Sequence, residues 1–426
     1  MNPDAAAARI RARYWIETAF PLQAAAEAMA GEQSSGTFVP VPGETPELRD
    51  RAAARVERIE ELEPAVAPSL PGSAVPGGAA PVWRRALVDL SWPLSNTGAS
   101  LPNLLATVAG NLFELKFFSG LRLLDLDLPE AFVRRYGGPA FGVGGTRALA
   151  GVSGRPLIGT IIKPSVGLDA RATAALAAEL AEAGIDFIKD DELQADGPGC
   201  PLERRVAEVM RALNAHAERK GRKVMYAFNI TGEVDDMLRG HDLVLAAGGT
   251  CVMVSLNSVG LSGFTALRRH ARLPIHAHRN GWGYLSRSPA LGFDYVAWQK
   301  FWRVAGADHL HVNGLRNKFC EADESVVRSA RACLTPMFAP PLPGCEAMPV
   351  FSSGQTAAQA HDTYLATGTL DLIYACGGGL MAHPDGIRSG VESLRQAWEA
   401  AAAGIPLEVH ARSHPALARA LARFAA

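Results

Sequence analysis

The run Lys189-Asp190-Asp191-Glu192 holds the densest chemistry in the chain. On a strand, alternation sends Lys189 and Asp191 to one face and leaves Glu192 at the turn. Two carboxylates so placed make an oxygen site for a hard cation of the Mg²⁺ type. A cationic lysine would compete with that ion. A lysine that has reacted with CO₂ to a carbamate would instead supply a third anionic oxygen. Taken alone, the tetrapeptide is equally compatible with a solvated charge cluster at a strand end. Two features suit a phosphate. Gly377, Gly378 and Gly379 let backbone N–H groups approach an anion at a helix start, or else form a tight turn. Arg279 and His311 form a cationic pair that could fork onto a phosphate or carboxylate. His276 and His309 fit satisfied core histidines as readily as ligands.

These groups must be brought together by elements far apart in sequence. From about residue 155, short apolar runs alternate with helical segments: LIGTIIK (157–163), IDFIKDD (185–191), KVMYAFN (223–229), TCVMVSL (250–256), PIHAH (274–278), DHLHV (308–312), MPVFSS (348–353) and LDLIYA (370–375). Near-continuous apolar runs are the pattern of parallel strands buried on both faces. Eight such units predict a closed (β/α)8 TIM barrel, whose active site lies at the C-terminal strand ends. Lys163, Lys189, Asn229, His278, Arg279, His311, Ser352, Ser353 and the glycines after the last strand all fall there. An open doubly wound sheet is the alternative, but no GxGxxG follows the first strand. Residues 1–145 read as a separate α+β unit: strands over 11–18, 53–63 and 83–92, helices over 21–33 and 101–110, and a Pro/Gly-rich surface loop between. Residues 146–426 then form the barrel and a helical tail.

The 426 residues are 48% hydrophobic and 20% charged, as in a globular protein. A net charge of −1 gives no basic footprint for nucleic acid. The six cysteines are scattered without a CxxC pair, which predicts reduced thiols in a cytoplasmic protein. No apolar run approaches membrane-span length, and the N-terminus lacks a signal-peptide core.

GTIIKP (159–164), DFIKDDE (186–192), HAHR (276–279), DHLH (308–311) and GGG with HPDG (377–386) resemble, in order and spacing, the large chain of RuBisCO from about residue 10 to 420. The resemblance implies a ferredoxin-like α+β domain before the barrel. It implies a Mg²⁺ site on carbamylated Lys189, Asp191 and Glu192, and Lys163 handling the substrate proton. His278 would be an acid/base group beside the metal and Lys318 a mobile-loop lysine. Arg279, His311 and Ser352 would form one phosphate site; Gly354, Gly377 and Gly378 would form the other. EQSSGT (32–37) would supply Glu32 and Thr37, and GNLFELK (110–116) Asn111, to a partner's barrel. An obligate homodimer, or an oligomer built on it, is therefore expected, without a small subunit.

Departures from the carboxylase pattern redirect the chemistry. Ser165 stands where the carboxylases carry a second lysine, Trp282 where a histidine is expected, Phe38 for a tryptophan and Ser353 for a glycine. The chain thus resembles the RuBisCO-like, form IV branch, without productive CO₂ fixation. The expected reaction forms an enediolate from a phosphorylated keto-sugar acid. GTIIKPSVG and HRNGWG most resemble the subgroup that cleaves 3-oxo-isoapionate 4-phosphate by decarboxylation or by transcarboxylation and hydrolysis. An enolase or isomerase of methylthio-ribulose-type phosphates in methionine salvage, and a non-catalytic binding or stress-response protein, are the alternatives.

Overall fold

The computed structural model describes residues 8–36, 41–77 and 80–424. The chain divides into two compact units: Met1–Gly137 with Gly281–Val304 and Met337–Gly344, and Gly138–Asn280 with Ala305–Pro336 and Cys345–Ala426.

In the first unit, β1 (Arg9–Thr18), the helix Leu22–Glu32, β2 (Arg55–Ala65), β3 (Trp83–Pro93), the helix Leu101–Val108 and β4 (Phe118–Asp127) follow one another. The sheet order is β4-β1-β3-β2, and these neighbours are all antiparallel. That is the ferredoxin-like arrangement. Alternation along β1 buries Ile10, Ala12, Tyr14 and Ile16, and the helix Leu22–Glu32 buries Ala25, Ala26, Met29 and Ala30. A fifth strand, β10 (Leu291–Phe293), joins in parallel beside β4, with Leu291 opposite Leu121. Arg122 secures it by donating to the Ser288 carbonyl at 2.6 Å and the Phe293 carbonyl at 2.6 Å. The segment 281–304, in the range expected to belong to the barrel, therefore lies with the first unit.

The second unit is a closed barrel of eight parallel strands: β5 (Leu157–Ile161), β6 (Phe187–Lys189), β7 (Met225–Asn229), β8 (Cys251–Ser255), β9 (Ile275–His278), β11 (His309–His311), β12 (Met348–Phe351) and β13 (Ile373–Ala375). Each lies within an expected run. Leu157, Phe187, Met225, Cys251, Met348 and Ile373 belong to the buried cluster that fills the barrel. Pleating carries this inward face forward two residues at a time, so Phe187 leads to Lys189, His276 to His278 and His309 to His311. The first barrel helix starts on a capped turn: Asp169 accepts from the Ala172 N–H at 2.8 Å and opens the helix Ala170–Glu182. Among the described residues, no helix is long and apolar enough to cross a membrane.

Candidate active site

The two aspartates after Lys189 have different duties. Asp190 points away from the barrel axis. Its Oδ2 accepts from Arg205 Nε at 3.1 Å and from the Asn229 N–H at 2.9 Å, and its Oδ1 accepts from the Tyr226 hydroxyl at 2.6 Å. Arg205, Tyr226 and Asp190 are all fully buried. With both oxygens engaged, Asp190 is unsuited to a metal. Asp191 faces the other way: its Oδ2 accepts from Lys163 Nζ at 2.6 Å. Glu192 Oε2 lies 3.5 Å from Lys189 Nζ and 3.5 Å from His278 Nε2. Asn229 pins the turn by donating to the carbonyls of Asp191 at 3.3 Å and Glu192 at 3.1 Å. Strand β6 thus delivers Lys189, Asp191 and Glu192 to one place, and the buried Asp190–Arg205–Tyr226 cluster anchors the turn from behind.

The electrostatics suit a carbamate. Burial pushes the Lys189 ammonium below its ordinary range, although Glu192, Asp191 and Asp190 pull it back up. A lowered pKa increases the neutral amine, the form that reacts with CO₂. Burial works against ionised Glu192, yet His278 and Lys189 pull its carboxyl down to about 2. Burial, then Lys189, push His278 down to about 4, so its ring is neutral at pH 7. His278 Nδ1 accepts from the Asn280 N–H at 3.2 Å, which places the ring proton on Nε2, toward Glu192. Two carboxylates and a buried, amine-biased lysine fit an oxygen-ligated Mg²⁺.

Lys163 Nζ also donates to Ser165 Oγ at 2.8 Å. The residue replacing the carboxylases' second lysine therefore steers the first. On the opposite wall, Arg279 donates to Glu321 Oε2 at 2.6 Å, and Asn313 Nδ2 donates to the same oxygen at 2.7 Å. Burial holds His311 well below its ordinary range, reinforced by His278, His276, Lys189 and Arg279. Burial thus favours the neutral form of His311, and the Arg279 charge is met by Glu321. Ser352 Oγ lies 3.1 Å from His311 Nδ1. Ser353 adopts φ +70° and donates to Asn313 Oδ1 at 2.8 Å; Gly354 follows at φ +89°. Gly377 and Gly378 have room for a side chain, whereas a Cβ on Gly379 would meet the Gln355 carbonyl oxygen at 2.2 Å. The last glycine of the run is thus the one that packing demands. Lys318 is exposed, with its Nζ 5.3 Å from the Phe319 ring centroid.

In the first unit, Asn111 Nδ2 donates to Glu32 Oε1 at 3.3 Å, and both residues are exposed. Thr37 and Phe38 lie outside the described residues. Trp282 packs its buried ring against Tyr295 and Trp298, with centroids 5.4 and 5.1 Å away. Sequence reasoning missed Glu321, Asn313, Arg205 and Tyr226. Asn313-Gly314 is a turn signal, and Asn313 does adopt φ +68°; nothing local announces Glu321. Elsewhere, His241, Asp242 and His270 bring ligand atoms within 4.8 Å of one another. His241 Nε2 accepts from the Arg272 N–H at 3.0 Å, however, so Nδ1 carries its proton toward Asp242, 2.9 Å away. The cluster is a carboxylate hydrogen-bonded to two rings, with the cluster-facing nitrogen of His241 protonated.

A (β/α)8 barrel with a Lys-Asp-Asp-Glu turn after its second strand, in one chain with a ferredoxin-like unit, defines the class. Residues 142–424 match the ribulose bisphosphate carboxylase large chain, catalytic domain, and residues 10–132 match its N-terminal domain. The chain belongs to this family, and it is an enzyme of the family's RuBisCO-like branch. It is 59% identical, over 97% of its length and 98% of the relative's, to the 3-oxo-isoapionate-4-phosphate transcarboxylase/hydrolase of Xanthobacter autotrophicus. It is 47% identical, over 96% of its length and 97% of the relative's, to the 3-oxo-isoapionate-4-phosphate decarboxylase of Rhizobium etli. The crystal structure of a rubisco-like protein from Burkholderia fungorum superposes with a TM-score of 0.91 at 49% identity, covering 98% of this chain and 100% of that one.

Proposed function

We propose that the chain cleaves a carbon–carbon bond in a phosphorylated branched oxo-sugar acid, 3-oxo-isoapionate 4-phosphate, by decarboxylation or by carboxyl transfer and hydrolysis, without productive CO₂ fixation. The observation that carries the reading is the contact of Lys163 with Asp191 at 2.6 Å, which sets a mobile proton beside the carboxylate pair. Lys189 as its carbamate, Asp191 and Glu192 would hold Mg²⁺. The bound ion would supply Lewis acidity toward a carbonyl or enediolate oxygen.

The chain's own groups then have defined tasks. When CO₂ leaves a β-keto acid, the electron pair of the broken C–C bond stays on the substrate as an enediolate. Lys163, aimed by Ser165, returns one proton to that carbon. His278, neutral with its proton on Nε2, donates toward the oxygens around Glu192. Arg279, His311 and Ser352 on one side, with Gly354, Gly377 and Gly378 on the other, receive the anionic ends. Lys318 on its exposed loop closes over them. A second copy of the chain contributes Glu32, Thr37 and Asn111, so the working unit is a homodimer.

The test is to incubate the protein with Mg²⁺ and bicarbonate and measure products from 3-oxo-isoapionate 4-phosphate. Release of CO₂ or bicarbonate is expected, and it should disappear with Lys189→Ala and on chelation with EDTA. No turnover of this substrate, with proton exchange on methylthio-ribulose phosphate instead, would replace the reading with an enolase one.

A further inference from the structure

A file of hydrogen-bonded side chains runs through the barrel core, from the C-terminal strand ends to the opposite end. Ser352 Oγ lies 3.1 Å from His311 Nδ1. His311 Nε2 lies 2.7 Å from His276 Nε2, His276 Nδ1 lies 3.4 Å from His309 Nδ1, and His309 Nε2 lies 2.9 Å from Thr146 Oγ1. All five residues are buried. Thr146 closes the file by donating to the Gly142 carbonyl.

That terminal bond fixes every proton in the file. A carbonyl oxygen only accepts, so Thr146 spends its one hydroxyl proton on Gly142 and must accept from His309. His309 therefore carries its proton on Nε2 and accepts at Nδ1. His276 must donate from Nδ1 and accept at Nε2. His311 must donate from Nε2, leaving Nδ1 as a lone pair that accepts from the Ser352 hydroxyl. The rings are neutral, as this order requires: burial pushes His276, His309 and His311 down. The far end cannot supply a proton, so the file is a dead end and not a conduit.

We propose that Thr146, His309 and His276 are positioning residues that lock His311 in its Nε2–H form and turn the Ser352 hydroxyl inward, onto His311. In the resting protein the Ser352 hydroxyl therefore turns only its oxygen lone pairs toward a ligand. A phosphoryl oxygen that is to accept from Ser352 as well as from Arg279 must first rotate the Ser352 hydroxyl out of the locked file. The consequence for substrate rests on the phosphate site of the proposed function; the lock itself does not.

Histidine ¹⁵N–¹H correlation spectra report each ring's tautomer directly. The expected pattern is Nε2–H for His309, Nδ1–H for His276 and Nε2–H for His311. Thr146→Val removes the anchor, and the pattern should invert, moving the His311 proton to Nδ1. Thr146→Ser should restore the original. An Nδ1–H His311 in the unsubstituted protein, or a tautomer pattern unchanged by Thr146→Val, overturns the proposal. Circular dichroism and the barrel's amide spectrum establish that the variant is folded. Inorganic phosphate then serves as the ligand probe: releasing the Ser352 hydroxyl should tighten it by roughly two- to tenfold in Thr146→Val, the worth of one hydrogen bond. Phosphate binding to neither protein would count against the phosphate site and leave the spectra to decide the lock.

Discussion

Asp190 and Arg205 illustrate how a buried charge pair can serve a site it never enters. Both are removed from water, so their attraction is offset by desolvation, and the pair adds little net stability compared with an apolar replacement of both. Removing one partner is another matter. Arg205→Met would leave Asp190 buried without its cation, and is expected to destabilise the barrel unit by about 3–5 kcal/mol, read from urea unfolding. Because Asp190 anchors the turn that carries Asp191 and Glu192, Mg²⁺ affinity should fall as well, measured by calorimetric titration; undiminished affinity would detach the cluster from the site. Ser353 poses a finer question of balance. Its φ of +70° costs about 1–2 kcal/mol in a residue with a Cβ, and its bond to Asn313 returns about 1 kcal/mol. Ser353→Ala keeps the strain and loses the bond, so a loss of about 1 kcal/mol is expected. Ser353→Gly loses both and should unfold within about 1 kcal/mol of the parent. Equal effects of the two would show that the backbone conformation carries no cost.

At the scale of elements, the glycines after β13 make separable predictions. Gly379→Ala would drive a methyl group onto the Gln355 carbonyl oxygen, 2.2 Å from where it must sit. Overpacking against backbone costs about 1–3 kcal/mol, so its unfolding midpoint should drop, whereas Gly378→Ala, with open space around it, should leave stability unchanged and report only on ligand approach. The eight barrel strands were legible because burial on both faces writes itself as apolar runs, and the Lys-Asp-Asp-Glu turn because alternation alone separates Lys189 and Asp191 from Asp190. β10 was not. Leu291-Gly292-Phe293 is three residues long, too short to show a period, and its partner β4 lies far away in sequence. The charge state of the Arg279–His311 wall was hidden for a related reason. Residue types announce a guanidinium and an imidazole, but the burial that neutralises His311 and the loop carboxylate that meets Arg279 are products of the tertiary fold. Trp282 likewise read as a change within the site, and its ring is committed to packing with Tyr295 and Trp298.

For the molecule as a whole, the buried histidines set the acid limit of stability. Burial and Lys189 push His278 down to about 4, and burial pushes His309 to about 3; His276 and His311 are pushed the same way. In the unfolded chain each would titrate near 6.5. Below that pH the unfolded chain binds protons that the folded barrel refuses, so unfolding gains with falling pH. The contribution is therefore fully present above about 6.5 and is lost as pH falls toward 4 for His278 and 3 for His309. Each ring withdraws about 1.4 kcal/mol per pH unit once well below its unfolded value. At pH 5 the two histidines with stated values would together remove about 4 kcal/mol, a large share of the 5–15 kcal/mol typical of a folded domain. Glu192, held near 2, adds to the loss only below the ordinary carboxylate range. Urea midpoints measured from pH 8 to 5 should thus hold nearly level to about 6.5 and then decline, well before carboxylates protonate. His309→Gln, which cannot take up a proton, should flatten part of that decline whatever it does to stability at pH 8. A flat profile to pH 5 in the parent would mean that the rings accept protons in place, and that the histidine file is less tightly sealed than its hydrogen bonds indicate.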